Sequence, residues 1–323
     1  MKKILVTGAA GFIGSKTSQK LLEAGKQVIG VDNLNDYYDV TLKTRRLEEL
    51  KKNKGFIFYH LDIENLASMD NVFRDNKVDA IINLAARAGV RYSIENPHVY
   101  MSTNAQGVLN LLELMRKHGV RKLVHASTSS LYAGQKMPFT EDLPVNTPIS
   151  PYAATKKAAE AMAYSYHYLF GLDISVLRYF TVYGPAGRPD MSIFRFIKWI
   201  DEGTPLELFG DGTQSRDFTY IDDIASGTVK ALKELGYEII NLGGGKSPST
   251  LNYVIGRLEE LLGKKAVINY MPFLKTDITE TGADITKAGR LLDWRPETDL
   301  DEGLARTVDW YANNRSWLRD VKL

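Results

Sequence analysis

Short apolar runs alternate along the chain with longer segments in which apolar residues recur every third or fourth position. The longer segments, such as 13–24 and 99–118, have the period of an amphipathic helix. The short runs predict buried parallel strands over residues 3–7, 27–31, 56–60, 80–84, 122–126 and 174–178. Strands and helices that alternate at this spacing predict right-handed crossovers and a doubly wound parallel α/β sheet.

After about Gly184 the pattern becomes less regular, with short runs at 207–209 and 238–241 among glycines and prolines. We therefore expect two domains, residues 1–180 and a smaller mixed α/β substrate domain over residues 181–323, with some exchange of elements between them. Gly25 and Gly119 stand where helix C-caps are expected. The charged segment 43–54 is interpreted as a solvated helix face.

Composition narrows the possible chemistry of the 323-residue chain. It has no cysteine, which excludes disulfides, thiolate metal sites and a cysteine nucleophile. Its net charge is +2, from 41 basic and 39 acidic residues, so nucleic acid is a poor candidate partner. No apolar run reaches the roughly 18 residues of a membrane span, and the first residues do not form a signal peptide. These features predict a cytoplasmic protein.

A glycine-rich turn follows the first predicted strand and opens the first helix. Gly8, Gly11 and Gly14 allow backbone N–H groups to approach a pyrophosphate at the positive end of the helix dipole. Asp32 closes the second strand, where a carboxylate accepts hydrogen bonds from ribose hydroxyls and repels a 2′-phosphate. Asp62 follows the third strand and suits the adenine edge. The turn therefore predicts a dinucleotide site for NAD rather than NADP.

Tyr152 and Lys156 stand four residues apart, on one face of a helix that begins near Pro151. A lysine cation ~4 Å from a phenol, at an effective dielectric constant of ~20, stabilises the phenolate by about 4 kcal/mol. That energy corresponds to about three pKa units and makes tyrosine a base near neutral pH. Thr128, at the carboxyl end of its strand, is expected to bridge the phenol and a substrate hydroxyl. The histidines stand in no nucleophile or metal-ligand spacing, so no metal is expected.

The glycine spacing and the order of these motifs resemble the extended short-chain dehydrogenase/reductase superfamily, which has a Rossmann-type sheet. Within it the chain resembles the UDP-glucuronate 4-epimerases, on segments 30–39, 88–97, 178–185 with 188–191, and 216–223. The resemblance implies NAD contacts at Gly8, Gly11, Phe12, Ile13, Gly14, Asp32, Asn33, Asp62, Ile63, Leu84, Ala85, Ala86, Asn104, Tyr152, Lys156 and Tyr179. It implies substrate contacts at Arg91, Thr128, Ser129, Ser130, Tyr152, Thr181, Arg188, Arg195, Arg216 and Asp277.

A uronate adds a carboxylate to the two charges of a diphosphate, so the substrate pocket requires cations. Guanidinium groups bind both anions bidentately. The resemblance places Arg188 at the sugar carboxylate and Arg216 at the diphosphate. The chain departs from its relatives at the uridine ribose, where Lys275 and Thr276 precede Asp277 in place of the usual Gly-Asp pair.

These observations predict NAD-dependent C4 epimerisation of a UDP-sugar, with UDP-glucuronate and UDP-galacturonate as the pair. Tyr152 removes the proton of the 4-hydroxyl while C4 hydride passes to NAD, and the 4-keto sugar turns over before the hydride returns. The alternatives are a 4-epimerase of neutral UDP-hexoses or their N-acetyl forms, a decarboxylase or 4,6-dehydratase, and a non-catalytic NAD-binding regulator. The resemblance also implies a homodimer that pairs helices 99–118 and 152–170.

Overall fold

The computed structural model of the protein describes residues 2–246, 248–273 and 278–323. The strands are β1 (Lys3–Thr7), β2 (Gln27–Asp32), β3 (Phe56–His60), β4 (Ala80–Asn83), β5 (Lys122–Thr128), β6 (Asp173–Tyr179), β7 (Thr181–Tyr183), β8 (Leu206–Phe209), β9 (Ser215–Arg216), β10 (Phe218–Tyr220), β11 (Tyr237–Leu242), β12 (Ser249–Thr250) and β13 (Ile268–Met271).

The helices are α1 (Phe12–Glu23), α2 (Val40–Lys51), α3 (Leu66–Asp75), α4 (Val90–Glu95), α5 (Pro97–Tyr100), α6 (Gly107–His118), α7 (Pro151–Phe170), α8 (Ser192–Glu202), α9 (Ile221–Lys230), α10 (Leu251–Leu262), α11 (Thr286–Leu292) and α12 (Leu300–Leu318). A π-helical segment, Met101–Gln106, joins α5 to α6, and a 3₁₀ turn, Ser129–Tyr132, follows β5. No helix in the described part of the chain is long and apolar enough to cross a membrane.

Seven of the described strands form one parallel sheet in the order β11-β6-β5-β4-β1-β2-β3. The order reverses beside β1, which pairs with both β2 and β4. In a doubly wound sheet the crevice at such a reversal, outside the carboxyl ends of the strands, is where ligands bind. The predicted fold class is confirmed, and the six predicted strands are present with small shifts at their ends.

Side chains alternate between the two faces of the sheet and build two apolar layers. Val6 and Val28 belong to the layer that includes Leu21 of α1, whereas Leu5 and Ile29 belong to the opposite layer with α3, α6 and α7. A third apolar cluster joins α8, α10 and α12. Burial on both faces explains why the strands read as continuous apolar runs in the sequence.

The run at 238–241, expected in the second domain, belongs instead to the large sheet. It forms β11, which pairs in parallel with β6 from Tyr237↔Ile174 to Leu242↔Tyr179. The preceding helix α9 packs on α1, on the same sheet. Backbone pairing and apolar burial, rather than chain order, decide where these elements lie. The division into residues 1–180 and 181–323 stays a prediction.

Two further expectations about helices are modified. The segment 99–118 is helical throughout but contains a π-helical stretch, from which the Asn104 amide donates to the Thr155 hydroxyl of α7 at 3.2 Å. The segment 43–54 is not wholly solvated, because Lys43 and Arg46 are buried. Gly25 and Gly119 adopt left-handed φ angles of 70° and 71° after their helices, as predicted for C-caps.

Candidate active site

A cavity of about 470 Å³ opens at the reversal point of the sheet. It runs from the glycine turn after β1, past the ends of β2, β4 and β5, to the segment after β6. Its lining includes most of the residues implied for NAD, namely Gly8, Gly11, Phe12, Ile13, Gly14, Asp32, Asn33, Asp62, Ile63, Leu84, Ala85, Ala86, Tyr152, Lys156 and Tyr179. Of the residues implied for substrate, it includes Thr128, Ser129, Ser130, Tyr152, Thr181, Arg188 and Arg216.

The glycine turn has no room for side chains. A Cβ on Gly14 would lie 2.0 Å from the Gly8 carbonyl oxygen, and one on Gly8 would lie 2.7 Å from the Ala85 nitrogen. Gly8 also has a left-handed φ of 68°. The turn therefore brings bare backbone close to the end of β4 at the N-terminus of the 12-residue helix α1. This geometry fits the pyrophosphate of a dinucleotide.

Carboxylates at the ends of β2 and β3 organise the adjoining part of the cavity. Asp32 accepts hydrogen bonds from the Ala10 N–H at 3.0 Å and the Leu34 N–H at 2.9 Å, so it holds the glycine turn as well as facing the cavity. Asp62 accepts a hydrogen bond from the Asn33 amide at 2.6 Å. The two acidic groups are thus pre-positioned beside one another through the loop that follows β2.

Sequence reasoning missed Lys43, which lines this part of the cavity from α2. Its ammonium donates to the Asn35 carbonyl oxygen at 2.5 Å and to the Asn35 side chain at 3.2 Å. Burial lowers the pKa of Lys43 to about 8. A signal was present, because Lys43 and Arg46 fall on the same helical stripe as Leu47 and Leu50, which are buried.

The three predicted catalytic residues meet at the end of β5. Thr128 is the last residue of that strand, and its hydroxyl lies close enough to the Tyr152 phenol of α7 to favour the phenolate. Burial raises the pKa of Tyr152, whereas the Thr128 hydroxyl and the charge of Arg188 act in the opposite direction. Ser150 caps α7 by accepting from the Ala153 N–H at 3.2 Å, and Pro151 occupies the first turn, as the sequence indicated.

The Lys156 ammonium has a backbone partner that the sequence did not predict, and its predicted effect on the Tyr152 phenol stays a prediction. This ammonium donates to the Ala126 carbonyl oxygen at 2.8 Å. Burial lowers the pKa of Lys156 to about 8, although the nearby Glu160 carboxylate acts in the opposite direction. Glu160 in turn accepts from the Ser127 hydroxyl at 2.6 Å and from Arg178 at 2.8 and 2.9 Å. A buried ion pair thus ties α7 to β5 and β6 beneath the site.

The far end of the cavity contains the hydroxyls of residues 128–130, two tyrosines of the loop after β2, and two arginines. Arg188 lies in the loop between β7 and α8 and pairs with Asp190. Tyr37 and Tyr38, which no sequence motif singled out as site residues, contribute their rings to the same wall. Arg216 also lines the cavity and donates to the Ser215 carbonyl oxygen at 2.8 Å.

Three residues implied by the resemblance lie off the cavity lining. Asn104 uses its side-chain amide on the Arg87 backbone, accepting from N–H at 2.8 Å and donating to the carbonyl oxygen at 2.9 Å. Arg91 lies over the Phe209 ring at 3.9 Å, and Arg195 lies over the Trp199 ring at 4.4 Å. Their contact roles stay predictions, and Asp277, like Lys275, is outside the described residues.

The crevice and its tyrosine–lysine pair define a dinucleotide-dependent enzyme, and sequence comparison agrees. The chain belongs to the NAD-dependent epimerase/dehydratase family, whose model matches residues 4–243. It is similar to a UDP-glucuronate 4-epimerase of Thermodesulfobacterium geofontis (strain OPF15), with 62% identity over 319 residues and 99% of each chain covered.

Solved structures give the same relationship. The chain is similar to UDP-glucuronic acid 4-epimerase from Bacillus cereus in complex with UDP-glucuronic acid and NAD, at 40% identity and a TM-score of 0.91, covering 97% of this chain and 99% of that one. It is also similar to UDP-glucose 4-epimerase from Thermotoga maritima with UDP-glucose, at 34% identity and a TM-score of 0.89, with the same coverage.

Proposed function

We propose that the protein is an NAD-dependent 4-epimerase that interconverts UDP-glucuronate and UDP-galacturonate and retains the sugar carboxylate. The observation that carries the proposal is the Arg188 guanidinium in the far end of the cavity, the proposed sugar end, where its charge acts on the Tyr152 phenol against the effect of burial. A neutral hexose has no anionic group for this cation, whereas a uronate does. The similarity to UDP-glucuronate 4-epimerases supports the same substrate.

The residues present fit NAD. The side-chain-free turn at Gly8, Gly11 and Gly14 leaves backbone room for a pyrophosphate, and the Asp32 carboxylate at the end of β2 disfavours a 2′-phosphate. Asp32 and Asp62 would hold the adenosine end, and Tyr152 and Lys156 the nicotinamide end. When bound, NAD supplies a hydride acceptor for C4 and a positive ring beside the phenol.

Tyr152 acts as the general base in this mechanism. The Thr128 hydroxyl beside the phenol provides a path for the proton of the sugar 4-hydroxyl, and removal of that proton accompanies oxidation at C4. When hydride returns to the opposite face of C4, the same pair of residues returns the proton to O4. The role predicted for Lys156, whose ammonium is anchored on the Ala126 carbonyl oxygen, is to stabilise the phenolate by its charge. The cofactor is regenerated in each cycle, so permanent occupancy is expected.

A 4-keto uronate is a β-keto acid, which loses carbon dioxide when its carboxylate turns perpendicular to the ring carbonyl. Charge-assisted hydrogen bonds from Arg188 and the hydroxyls of residues 128–130 would hold the carboxylate away from that geometry. The same residues would therefore provide both substrate selection and protection of the intermediate.

The proposal is tested by incubating the purified protein with UDP-glucuronate and resolving the sugar nucleotides. UDP-galacturonate is the expected product; UDP-pentose or unchanged substrate would contradict the proposal. Arg188→Ala should weaken UDP-glucuronate binding by about tenfold or more, the range for a lost hydrogen bond to a charged group. Binding of UDP-glucose should change much less, and equal losses for both sugars would refute the carboxylate role of Arg188.

We further propose a homodimer formed through α7 and the neighbouring π-helical segment. Tyr168, Leu169 and Met101 on these elements are 77%, 66% and 57% exposed, and pairing of the two elements between subunits would bury their apolar surface. Sedimentation of the protein would measure the assembly. A cytoplasmic location stays a prediction, in keeping with a chain that has no cysteine.

A further inference from the structure

Arg188 has a carboxylate partner of its own. Its Nε donates to Asp190 Oδ1 at 3.0 Å and its Nη2 to Asp190 Oδ2 at 2.5 Å. A guanidinium carries five N–H donors in one plane, so this side-on pairing leaves the N–H groups of Nη1 for another acceptor. Arg188 lines the cavity, whereas Asp190 is not among its described lining residues. The pair therefore connects a cavity cation to a carboxylate outside the cavity wall.

Two aromatic rings confine the same guanidinium. Its central carbon lies 5.6 Å from the ring centroid of Tyr37 and 5.8 Å from that of Tyr38. Both tyrosines belong to the loop after β2, far from Arg188 in the chain, and both line the cavity. The position of the guanidinium is thus limited by the rings, while its in-plane direction is set by the carboxylate of Asp190.

The main chain that carries Arg188 is held from α2. Arg46 donates to the Ala186 carbonyl oxygen at 2.6 and 3.1 Å and to the Gly187 carbonyl oxygen at 3.1 Å. Ala186 has a left-handed φ of 56°, which is uncommon for a residue with a side chain. Because these contacts anchor the backbone next to Arg188, the freedom that remains is in the Arg188 side chain itself.

From this geometry we propose that Asp190 is a positioning residue that aims Arg188 at the sugar carboxylate and so makes the enzyme selective for UDP-uronates. The inference rests on the proposed carboxylate role of Arg188 and adds a residue that does not touch the substrate. Asp190 also gives the guanidinium a counter-ion when no uronate is bound, and a buried unpaired cation is strongly unfavourable. The incoming carboxylate then meets a guanidinium that is already oriented.

Loss of this orientation has a chemical consequence for the reaction. A carboxylate that is held loosely reaches the perpendicular geometry in the 4-keto intermediate. The C5–C6 bond then breaks, its electron pair passes to the C4 carbonyl as an enolate, carbon dioxide leaves, and C5 takes a proton. The product is a 4-keto pentose nucleotide, and NADH stays on the enzyme unless the ketone is reduced. Pentose formation and absorbance of bound NADH thus report the orientation of Arg188.

The test compares Asp190→Asn with Asp190→Glu in the NAD-bound protein, using UDP-glucuronate turnover and UDP-glucose binding. Asparagine presents an NH₂ group to one of the Arg188 donors, so kcat/KM for UDP-glucuronate should fall by about tenfold or more, with pentose nucleotide appearing. UDP-glucose affinity should stay within about twofold. Glutamate retains the charge but displaces it by one methylene, so its loss should be intermediate.

A matched control is Asp222→Asn, which removes an ion-paired carboxylate outside the cavity lining, 3.3 Å from Lys16; it should leave all readouts unchanged. Equal losses for both sugars with a lowered melting temperature would overturn the inference, as would unchanged uronate turnover in Asp190→Asn. If Arg188→Ala affects UDP-glucuronate more than UDP-glucose but Asp190→Asn does not, only the inference about Asp190 fails. If Arg188→Ala affects both nucleotide sugars equally, the proposed carboxylate site itself fails.

Discussion

The two ends of the cavity are built in different ways. At the cofactor end, the glycine turn follows β1, and Asp32, Asp62 and Leu84 each follow a strand of the same sheet or close it. At the sugar end, the wall comes from loops that are far apart in the chain, and ion pairs and ring contacts hold it together. The first end depends on backbone shape and excluded volume, the second on charges placed by long-range packing.

The two ends should therefore respond differently to substitution. Adding a single carbon atom to the glycine turn should weaken NAD binding, because the surrounding atoms are backbone and have little freedom to move. Removing a charge from the sugar end should change which substrate is preferred while the cofactor stays bound. Tyr152 belongs to both ends, so its loss should stop the reaction without releasing the cofactor.

Tyr152→Phe should have the largest effect, a fall in kcat of about 10³–10⁴-fold, since proton transfer by the phenol is lost. Bound NAD should equal that of the wild-type protein, because the ring of Phe retains the packing of Tyr152. Epimer formation and cofactor content per chain measure the two quantities. Full activity of the variant would remove the basis for assigning Tyr152 as the base.

Gly14→Ala should reduce NAD affinity by about 10²-fold or more, because its Cβ would overlap the Gly8 carbonyl oxygen at 2.0 Å and the start of α1 must shift. Gly256→Ala is the matched control, since a Cβ there meets nothing within 4 Å. Titration of cofactor-stripped protein with NAD measures the change. Normal affinity in Gly14→Ala would show that the turn is more compliant than its packing indicates.

The smallest expected effect concerns pH and a buried carboxylate, Asp217, next to Arg216 in the chain. Asp217 accepts N–H groups of Gly244 and Ala283, yet burial raises its pKa from 3.8 to about 6. The folded state therefore binds a proton on Asp217 more tightly than the unfolded state does, and protonation of Asp217 stabilises the fold. This contribution to the free energy of unfolding is fully present below about pH 4 and is lost as the pH rises through about 6.

The loss amounts to at most about 3 kcal/mol, or roughly 5 °C in melting temperature. The melting temperature of the wild-type protein minus that of Asp217→Asn should therefore fall between about pH 4.5 and about pH 7, at constant NAD concentration. A difference that does not vary with pH would contradict the raised pKa of Asp217.

Much of the cofactor end was predictable because its residues follow strands that are themselves visible as apolar runs. Gly8, Gly14 and Asp32 could be assigned from their positions relative to β1 and β2, and the structure places them in one cavity. Lys43 escaped this reasoning, since a lysine in a charged segment was interpreted as solvated. The only sequence signal for a buried Lys43 was its helical spacing from Leu47 and Leu50, which lie on the buried face of α2.

The sequence by itself determined the sheet, the glycine turn and the tyrosine–lysine pair, because each depends on local periodicity or on residues a few positions apart. Only the tertiary structure decided that β11 completes the sheet, that the Lys156 ammonium binds the Ala126 carbonyl oxygen, and that Asp190 and two tyrosines surround Arg188. Those arrangements result from packing between segments distant in the chain, where the energy of a contact depends on burial and direction that no local pattern specifies.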